Sequence, residues 1–264
     1  MTTKSDEYMS VVMPIYNEAN LLRDRIPVYC KKLNKLIGEN RWEFLLINNG
    51  STDNSELIIN ELGQTYSGIK QHMLDKPNIG RAYKHALEHC NYSYVYVVEL
   101  DQWDDPFLSW SWKYRRDYDL ITSSKRADPS INEQPIIRFI LTWGLNCMLQ
   151  LLFSFPGSDA HGQKLVYKPS FSNILENTRA DRGQWEVEFV VRALKSGKRI
   201  VELPVPYVEM RPPRNTLIKK IIWNVWALTK LARRLRSTPY SSVRLRKISR
   251  SDVEAGVGFP SEGQ

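Results

Sequence analysis

Short, unbroken apolar runs alternate with stretches of helical period through the first 125 residues, and few folds accept that pattern. Residues 8–14 (YMSVVMP), 42–47 (WEFLLI), 69–73 and 92–100 (YSYVYVVEL) read as strands, with 119–123 as a further one. Between them Leu21, Leu22, Ile26, Tyr29, Leu33 and Leu36 recur at helical spacing, as do Leu57, Ile58 and Leu62, and Asn78 opens a helix running to Cys90. Strands that are apolar throughout and separated by helices predict an α/β fold, with a mostly parallel sheet covered by helices on both faces. In such a sheet a ligand sits beyond the carboxyl ends of the strands. The residues there are Tyr16-Asn17-Glu18, Asn48-Asn49-Gly50-Ser51 and Asp101-Gln102-Trp103-Asp104-Asp105. No Gly-rich dinucleotide or P-loop signature follows any strand, which argues against a nicotinamide enzyme or an ordinary P-loop ATPase.

The second half continues with 136–155, 20 mostly apolar residues in which Arg138, Thr142, Asn146 and Gln150 draw a polar stripe. A lone spanning helix tolerates such a stripe badly, so an interfacial or core helix is the better reading. Then come a turn at 156–162, a strand at 164–167, a helix around 186–196, a strand at 199–205 and a last helix at 216–236. Three widely spaced cysteines, Cys30, Cys90 and Cys147, predict neither a disulfide framework nor a thiolate metal site and suggest a reducing compartment. The N-terminus has no apolar core of the kind a signal peptide needs.

Charge is distributed unevenly. Residues 210–250 carry 12 Lys or Arg and no acid; with a net charge of +8 and three acids in the last 14 residues, residues 1–209 sum to −1. In the 216–236 helix Ile218, Ile221, Ile222, Val225, Leu228, Ala232 and Leu235 share a face. Lys219, Lys220, Lys230, Arg233 and Arg234 lie opposite, with Trp223 and Trp226 towards them. A basic, amphipathic, Trp-bearing helix suits an anionic membrane surface, and the body offers no recognisable nucleic-acid module. The alternative is a helix packed on the body with a wet basic face. Residues 237–264, rich in Ser, Arg and Gly, are expected to be disordered.

Taken in order, VVMPIYNEANLL, LLINNGSTDNS, NIGRAYKHAL and VVELDQWDDP resemble the successive motifs of the inverting family 2 glycosyltransferases of GT-A fold. The second half resembles their polyprenyl-phosphate branch, typified by dolichyl-phosphate mannosyltransferase. It does so through Arg138…Thr142…Asn146, Asp159…Gly162, Trp185-Glu186-Val187-Glu188, Glu202-Leu203-Pro204 and Arg211. The resemblance spans about residues 8–235. It implies a GT-A domain over 1–210, the basic helix at 211–236 and the tail beyond.

The resemblance also implies roles. Pro14, Tyr16, Glu18, Ile47 and Asn49 would hold the donor's base and ribose, Gln102 would also bind the nucleotide sugar, and Arg81, Arg126 and Arg211 would approach phosphate. Asp101 would anchor a divalent metal, Mg²⁺ or Mn²⁺, with Asp104 as second ligand, because the usual partner position of the Asp-x-Asp motif holds Trp103. Asp101, Asp159 and Arg211 would be catalytic. The activity implied is transfer of a sugar from a nucleoside-diphosphate donor to a polyprenyl phosphate, by an enzyme peripheral to the cytoplasmic membrane face. Two rivals remain. One is transfer to a sugar or protein hydroxyl with Asp159 as base; the other is a non-catalytic nucleotide-binding scaffold, which Asn48, Asn49 and Trp103 favour.

Overall fold

The computed structural model describes residues 7–128, 136–206, 217–235 and 244–255. Two compact units divide the chain: residues 1–115 with 163–176, and residues 116–162 with 177–264. The expected single 1–210 domain is thus not one contiguous block, because a strand from beyond residue 160 joins the first unit.

The first unit contains β1 (Met9–Ile15), α1 (Ala19–Ile37), β2 (Trp42–Asn49), α2 (Ser55–Thr65), β3 (Ile69–Leu74), α3 (Ile79–His89), β4 (Tyr94–Val97) and α4 (Asp105–Lys113). Its strand order is β3-β2-β1-β4, all parallel, followed by β6 (Lys164–Tyr167) antiparallel to β4. Every residue of β1 and β2 is buried, as continuous apolar strands in a helix-covered sheet require. Pro14 lies opposite Ile47 and Ile15 opposite Asn48, so the two strands end level and offer their following loops at one edge.

The second unit holds β5 (Leu120–Ser124), α5 (Ile136–Phe153), α7 (Gln184–Lys195), β7 (Arg199–Pro204), α8 (Leu217–Leu235), β8 (Arg244–Lys247) and α9 (Arg250–Glu254), with α6 (Ser172–Asn177) at the junction in sequence. Here β5, β7 and β8 run parallel in that order. The tail expected to be disordered is therefore ordered over 244–255. β8 pairs Arg244–Lys247 with Arg199–Glu202, and Ser249 caps α9 by accepting from the Asp252 N–H. Composition alone misled there, because Arg-Leu-Arg-Lys is also an edge-strand pattern, with Arg246 and Lys247 exposed.

The basic helix follows the packed alternative over its second half. Leu228, Leu231 and Leu235 are buried, and the Arg234 guanidinium reaches the Glu188 carboxylate at 2.6 Å. Glu188 itself is fully buried within α7. It accepts from the Arg179 and Ala180 N–H groups and from Arg192, so its charge is completely answered. No helix among the described residues is long and apolar enough to cross a membrane.

At the opposite end of the first unit from the strand-end loops, a buried carboxylate ties three strands together. Glu43 in β2 accepts from Ser10 Oγ (2.6 Å), Lys70 Nζ (2.7 Å), the Asn91 N–H (2.6 Å) and Asn91 Nδ2 (2.7 Å). Burial pushes this carboxyl up, but the bonds from Lys70, Ser10 and Asn91 outweigh it and hold the group below its ordinary range. A carboxyl more acidic in the fold than in the unfolded chain stabilises fully above its unfolded pKa of about 4.3 and loses that contribution as pH falls through the lower native value. E43Q should therefore be less stable at pH 6 and lose less further stability than wild type between pH 5 and 3, read as urea midpoints.

Candidate functional site

The strand-end edge of the first unit is held by side chains that satisfy backbone amides. Asn17 adopts a left-handed conformation (φ 55°), which asparagine tolerates. Its N–H donates to Ser51 Oγ at 3.1 Å, and its side-chain oxygen accepts from the Thr52 N–H at 2.7 Å. The Glu18 N–H donates to Ser55 Oγ and the Ala19 N–H to Asp53 Oδ2, so three amides at the start of α1 find partners in the β2–α2 loop. The Asp53 carboxyl sits below its usual value because its bonds from Ser55 and Ala19 overcome the effect of burial. Asn48 folds the next loop by accepting from the Ser51 N–H, and Gly50 (φ 72°) leaves room for Pro77, which a Cβ there would meet at 3.0 Å.

This arrangement sorts the sequence-predicted residues. Tyr16 is exposed and Glu18 half-buried beside the latch. Pro14 and Ile47 are buried strand positions and shape the edge from beneath. Asn49 was expected to offer a hydrogen-bonding edge to the donor. It is 4% exposed, and its amide oxygen accepts from the Asn78 N–H at 2.7 Å; Asn78 in turn caps α3 by accepting from the Arg81 N–H. The Asn pair thus joins β2 to the start of α3, leaving the Arg81 side chain exposed at that helix's first turn.

The loop after β4 departs furthest from expectation. Trp103 turns inward: its ring stacks on Tyr29 at 4.2 Å with 6° between planes and meets Tyr96 edge-on at 5.5 Å. Its Nε1 donates to Asp105 Oδ1 at 2.7 Å, and Lys32 Nζ lies 2.6 Å from the same carboxylate. Asp104 caps α4, accepting from the Phe107 N–H at 2.7 Å. Gln163 braces the turn by donating to the Gln102 carbonyl while accepting from the Tyr96 hydroxyl. Burial pushes the Tyr96 hydroxyl well above its ordinary pKa, so it remains a donor.

A divalent cation was expected between Asp101 and Asp104. The described arrangement engages Asp104 in starting a helix and Asp105 in the Trp103–Lys32 contacts. Among the described residues no group of three His, Cys, Asp or Glu side chains is arranged to hold a metal. The expected pairing of Asp101 with Asp104 is thus not arranged as a metal site among the described residues.

In the second unit the sequence-predicted Asp159 lies on the loop after α5, and it is 7% exposed. Its Oδ1 accepts from the His161 N–H at 2.9 Å, and His161 Nε2 reaches the Gly183 carbonyl at 3.2 Å, which gives that histidine a structural role. Glu202, fully buried on β7, holds the loop: it accepts from the Ser158 N–H at 2.8 Å and from Ser158 Oγ at 2.7 Å. Burial pushes the Glu202 carboxyl up, against those bonds. Gly162 is required by close approach, since a Cβ would fall 2.3 Å from the Ser123 carbonyl oxygen. Arg126 lies with its guanidinium 5.1 Å from the Phe139 ring, and its Nη1 is buried with no hydrogen-bond partner among the described residues. Arg211 lies outside the described residues.

Sequence reasoning missed Gln163, Tyr29 and Ser158. Only Tyr29 left a signal, as an aromatic on the buried stripe of α1.

Comparison with known proteins agrees with this geometry. Residues 10–109 match the model for glycosyl transferase family 2. This stretch, under two fifths of the chain, is what the chain shares with family 2 glycosyltransferases. The glycosyltransferase AglD of Haloferax volcanii is 22% identical over 219 residues, 81% of this chain but 35% of its own length. The dolichyl-phosphate beta-glucosyltransferase ALG5A of Trichomonas vaginalis is 26% identical over 216 residues, 77% of this chain and 66% of its own. The chain therefore spans about a third of the first relative and about two thirds of the second.

Among solved structures, glucosyl-3-phosphoglycerate synthase from Mycobacterium tuberculosis, in complex with Mn²⁺, UDP and phosphoglyceric acid, superposes with a TM-score of 0.61. It is 15% identical and covers 85% of this chain and 78% of its own. The mannosyltransferase PcManGT from Pyrobaculum calidifontis, with GDP-Man and Mn²⁺, gives a TM-score of 0.56 at 17% identity, covering 87% and 74%. The chain thus has the GT-A fold expected from its motifs.

Three substitutions test these assignments. W103D, which returns a carboxylate to the Asp-x-Asp partner position, should lower stability by about 2–4 kcal/mol because it removes a ring packed on Tyr29. W103F, which keeps a ring there, should cost less than half as much; equal urea midpoints for wild type and W103D would refute the packing role. E202Q presents an amide N–H₂ to the Ser158 donors and should cost about 1–3 kcal/mol, since a buried donor loses its acceptor.

Proposed function

We propose that this chain is a glycosyltransferase that moves a sugar from a nucleoside-diphosphate donor to a polyprenyl phosphate at a membrane surface. The observation that carries the acceptor assignment is the outer face of α5. Phe139, Ile140, Trp143 and Leu151 are exposed there at 45%, 56%, 54% and 84%. Four large apolar side chains on one helix exceed what a helix facing only water needs. On α8, Trp226 is 58% exposed with Lys230 Nζ 5.1 Å above its ring, a pairing suited to an anionic interface. The relative named as a dolichyl-phosphate enzyme supports the same acceptor chemistry.

Inverting transfer breaks the bond between the sugar's anomeric carbon and the donor diphosphate as an acceptor oxygen attacks from the opposite face. A phosphate acceptor is already an anion and needs positioning, not a base. That suits Asp159, whose buried carboxylate already accepts from the His161 N–H; the hydroxyl-acceptor reading would need it as a proton acceptor. We assign Tyr16 and Glu18 to the nucleoside, Gln102 to the donor's diphosphate side, and Arg81, Arg126 and Arg211 to phosphate oxygens, which guanidinium forks match. Pro14, Ile47 and Asn49 would support this edge from beneath. A divalent cation, Mg²⁺ or Mn²⁺, would neutralise charge on the leaving diphosphate; Asp101 is the side chain that would hold it, as hard cations are often held by one carboxylate with phosphate and water. The location that fits is peripheral, at the cytoplasmic membrane face.

Calorimetric titration with GDP- and UDP-sugars, with and without Mn²⁺, tests the donor half. One base should bind in a metal-dependent way, with D101A weakening it at least tenfold. Vesicles containing polyprenyl phosphate should then support transfer that water-soluble hydroxyl acceptors do not, and I140D/W143D should reduce cosedimentation with anionic vesicles. Absence of binding to any donor would instead support the scaffold reading.

A further inference from the structure

Three of the four histidines of this chain meet at one place that the glycosyl-transfer reading does not use. His85 and His89 stand four residues apart on α3, and His72 faces them from β3, at the end of the sheet. His72 Nδ1 and His85 Nε2 lie 2.9 Å apart in a hydrogen bond, and the His85 and His89 rings stack with centroids 4.0 Å apart. The His72 ring stands edge-on to His85 at 5.0 Å and lies 5.5 Å from His89. Among the described strands β3 pairs with β2 alone, so a contact from α3 counts for more there than it would at a central strand. His72 and His85 are half-buried and His89 is exposed, so protons reach the group from solvent.

We propose that His72, His85 and His89 form an acid-released clasp, which joins the edge strand β3 to α3 near neutrality and opens when His72 and His85 are both protonated. A bond between two imidazole nitrogens needs one N–H and one lone pair. Two neutral rings meet that requirement, and so does a neutral ring facing an imidazolium. Two imidazolium rings do not. Both nitrogens at the 2.9 Å contact would then carry N–H, no acceptor would be left, and like charges would face each other. His89 sharpens the threshold: its Nδ1 donates to the His85 carbonyl at 2.8 Å while its ring lies on that of His85, so a proton on one repels a proton on the other. The rings therefore titrate as a unit, and the packed state resists each proton after the first.

The charged surroundings leave that resistance in place. Lys70 on β3 adds positive charge beside His72, and Glu43 on β2 adds negative charge that Lys70, Ser10 and Asn91 already engage. α3 carries Arg81 and a Lys84–Glu88 pair at 3.8 Å, the loop before it carries Asp75 and Lys76, and β1 has no ionisable side chain. α2 brings Glu56 and Glu61, but right-handed crossovers put it on the face of the sheet opposite α3. Burial, with His89 and Lys70, holds His72 below the ordinary histidine range, and burial with His89 and His72 does the same for His85. A histidine less basic in the fold than in the unfolded chain stabilises fully above its unfolded pKa of about 6.5 and loses that contribution as pH falls through the lower native value. That window lies above the one in which Glu43 acts.

The test uses untagged full-length protein, with imidazole resonances and amide hydrogen exchange followed from pH 7.5 to 5. His72 and His85 should titrate in coupled steps, the last of them displaced below pH 6. Over the same range the amides of residues 69–74 and 85–89 should lose at least tenfold in protection, corrected for the intrinsic pH dependence of exchange, while those of β1 and β2 lose less than threefold. H72Q keeps a side-chain amide that donates to or accepts from His85 without taking up a proton, so its loss at 69–74 and 85–89 should shrink below threefold. Independent titration of both rings in single steps near pH 6.5, or an equal acid loss of protection in wild type and H72Q, overturns the proposal. The wild-type titration decides by itself if H72Q does not fold. D101A should leave both measurements unchanged, so the result stands or falls independently of the donor site.

Discussion

The buried pairing of β1 with β2 is the constraint on which the first unit depends. Both strands are covered on both faces, so unsatisfied polar groups find no place along their middles and collect at their ends. At the amino ends the demand is met by Glu43, which gathers donors from Ser10, Lys70 and Asn91. At the carboxyl ends it is met by Ser51, Asp53 and Ser55, which take the otherwise orphaned amides of Asn17, Glu18 and Ala19. The second set holds the turn carrying Tyr16 and Glu18. The candidate binding edge is thus a consequence of how a buried parallel sheet terminates.

The same accounting explains the loop that carries Trp103. A carboxylate at position 103 would need water or a cation. A tryptophan there needs apolar neighbours and one acceptor, and Tyr29, Phe44, Tyr96 and Asp105 supply them. With Trp103 in this position, Asp105 enters the contacts that secure the indole, and Asp104 caps α4.

The second unit repeats the economy with two buried carboxylates. Glu188 answers two guanidinium groups and two backbone amides, fixing α8 to α7. Glu202 answers Ser158 and so fixes the loop that presents Asp159. Both belong to segments that resemble family motifs, yet each acts on the chain itself. A residue can recur in a motif because it positions a loop, without touching any ligand.

The fold class and the strands and helices of the first unit's parallel core were legible in the sequence. Period-2 and period-3.6 hydrophobicity are local properties, and continuous apolar strands imply cover on both faces. The ordered 244–255 segment was not legible, because an edge strand of alternating Arg and Leu depends on β7 for its existence. Nor was the inward turn of Trp103, the engagement of Asn49 with Asn78, or the meeting of His72 with His85 and His89. Each depends on which side chains the sheet register and helix return bring within hydrogen-bonding distance. Sequence spacing carries the periodicity that builds elements, but contacts between residues 13 to 74 positions apart exist only once those elements have packed.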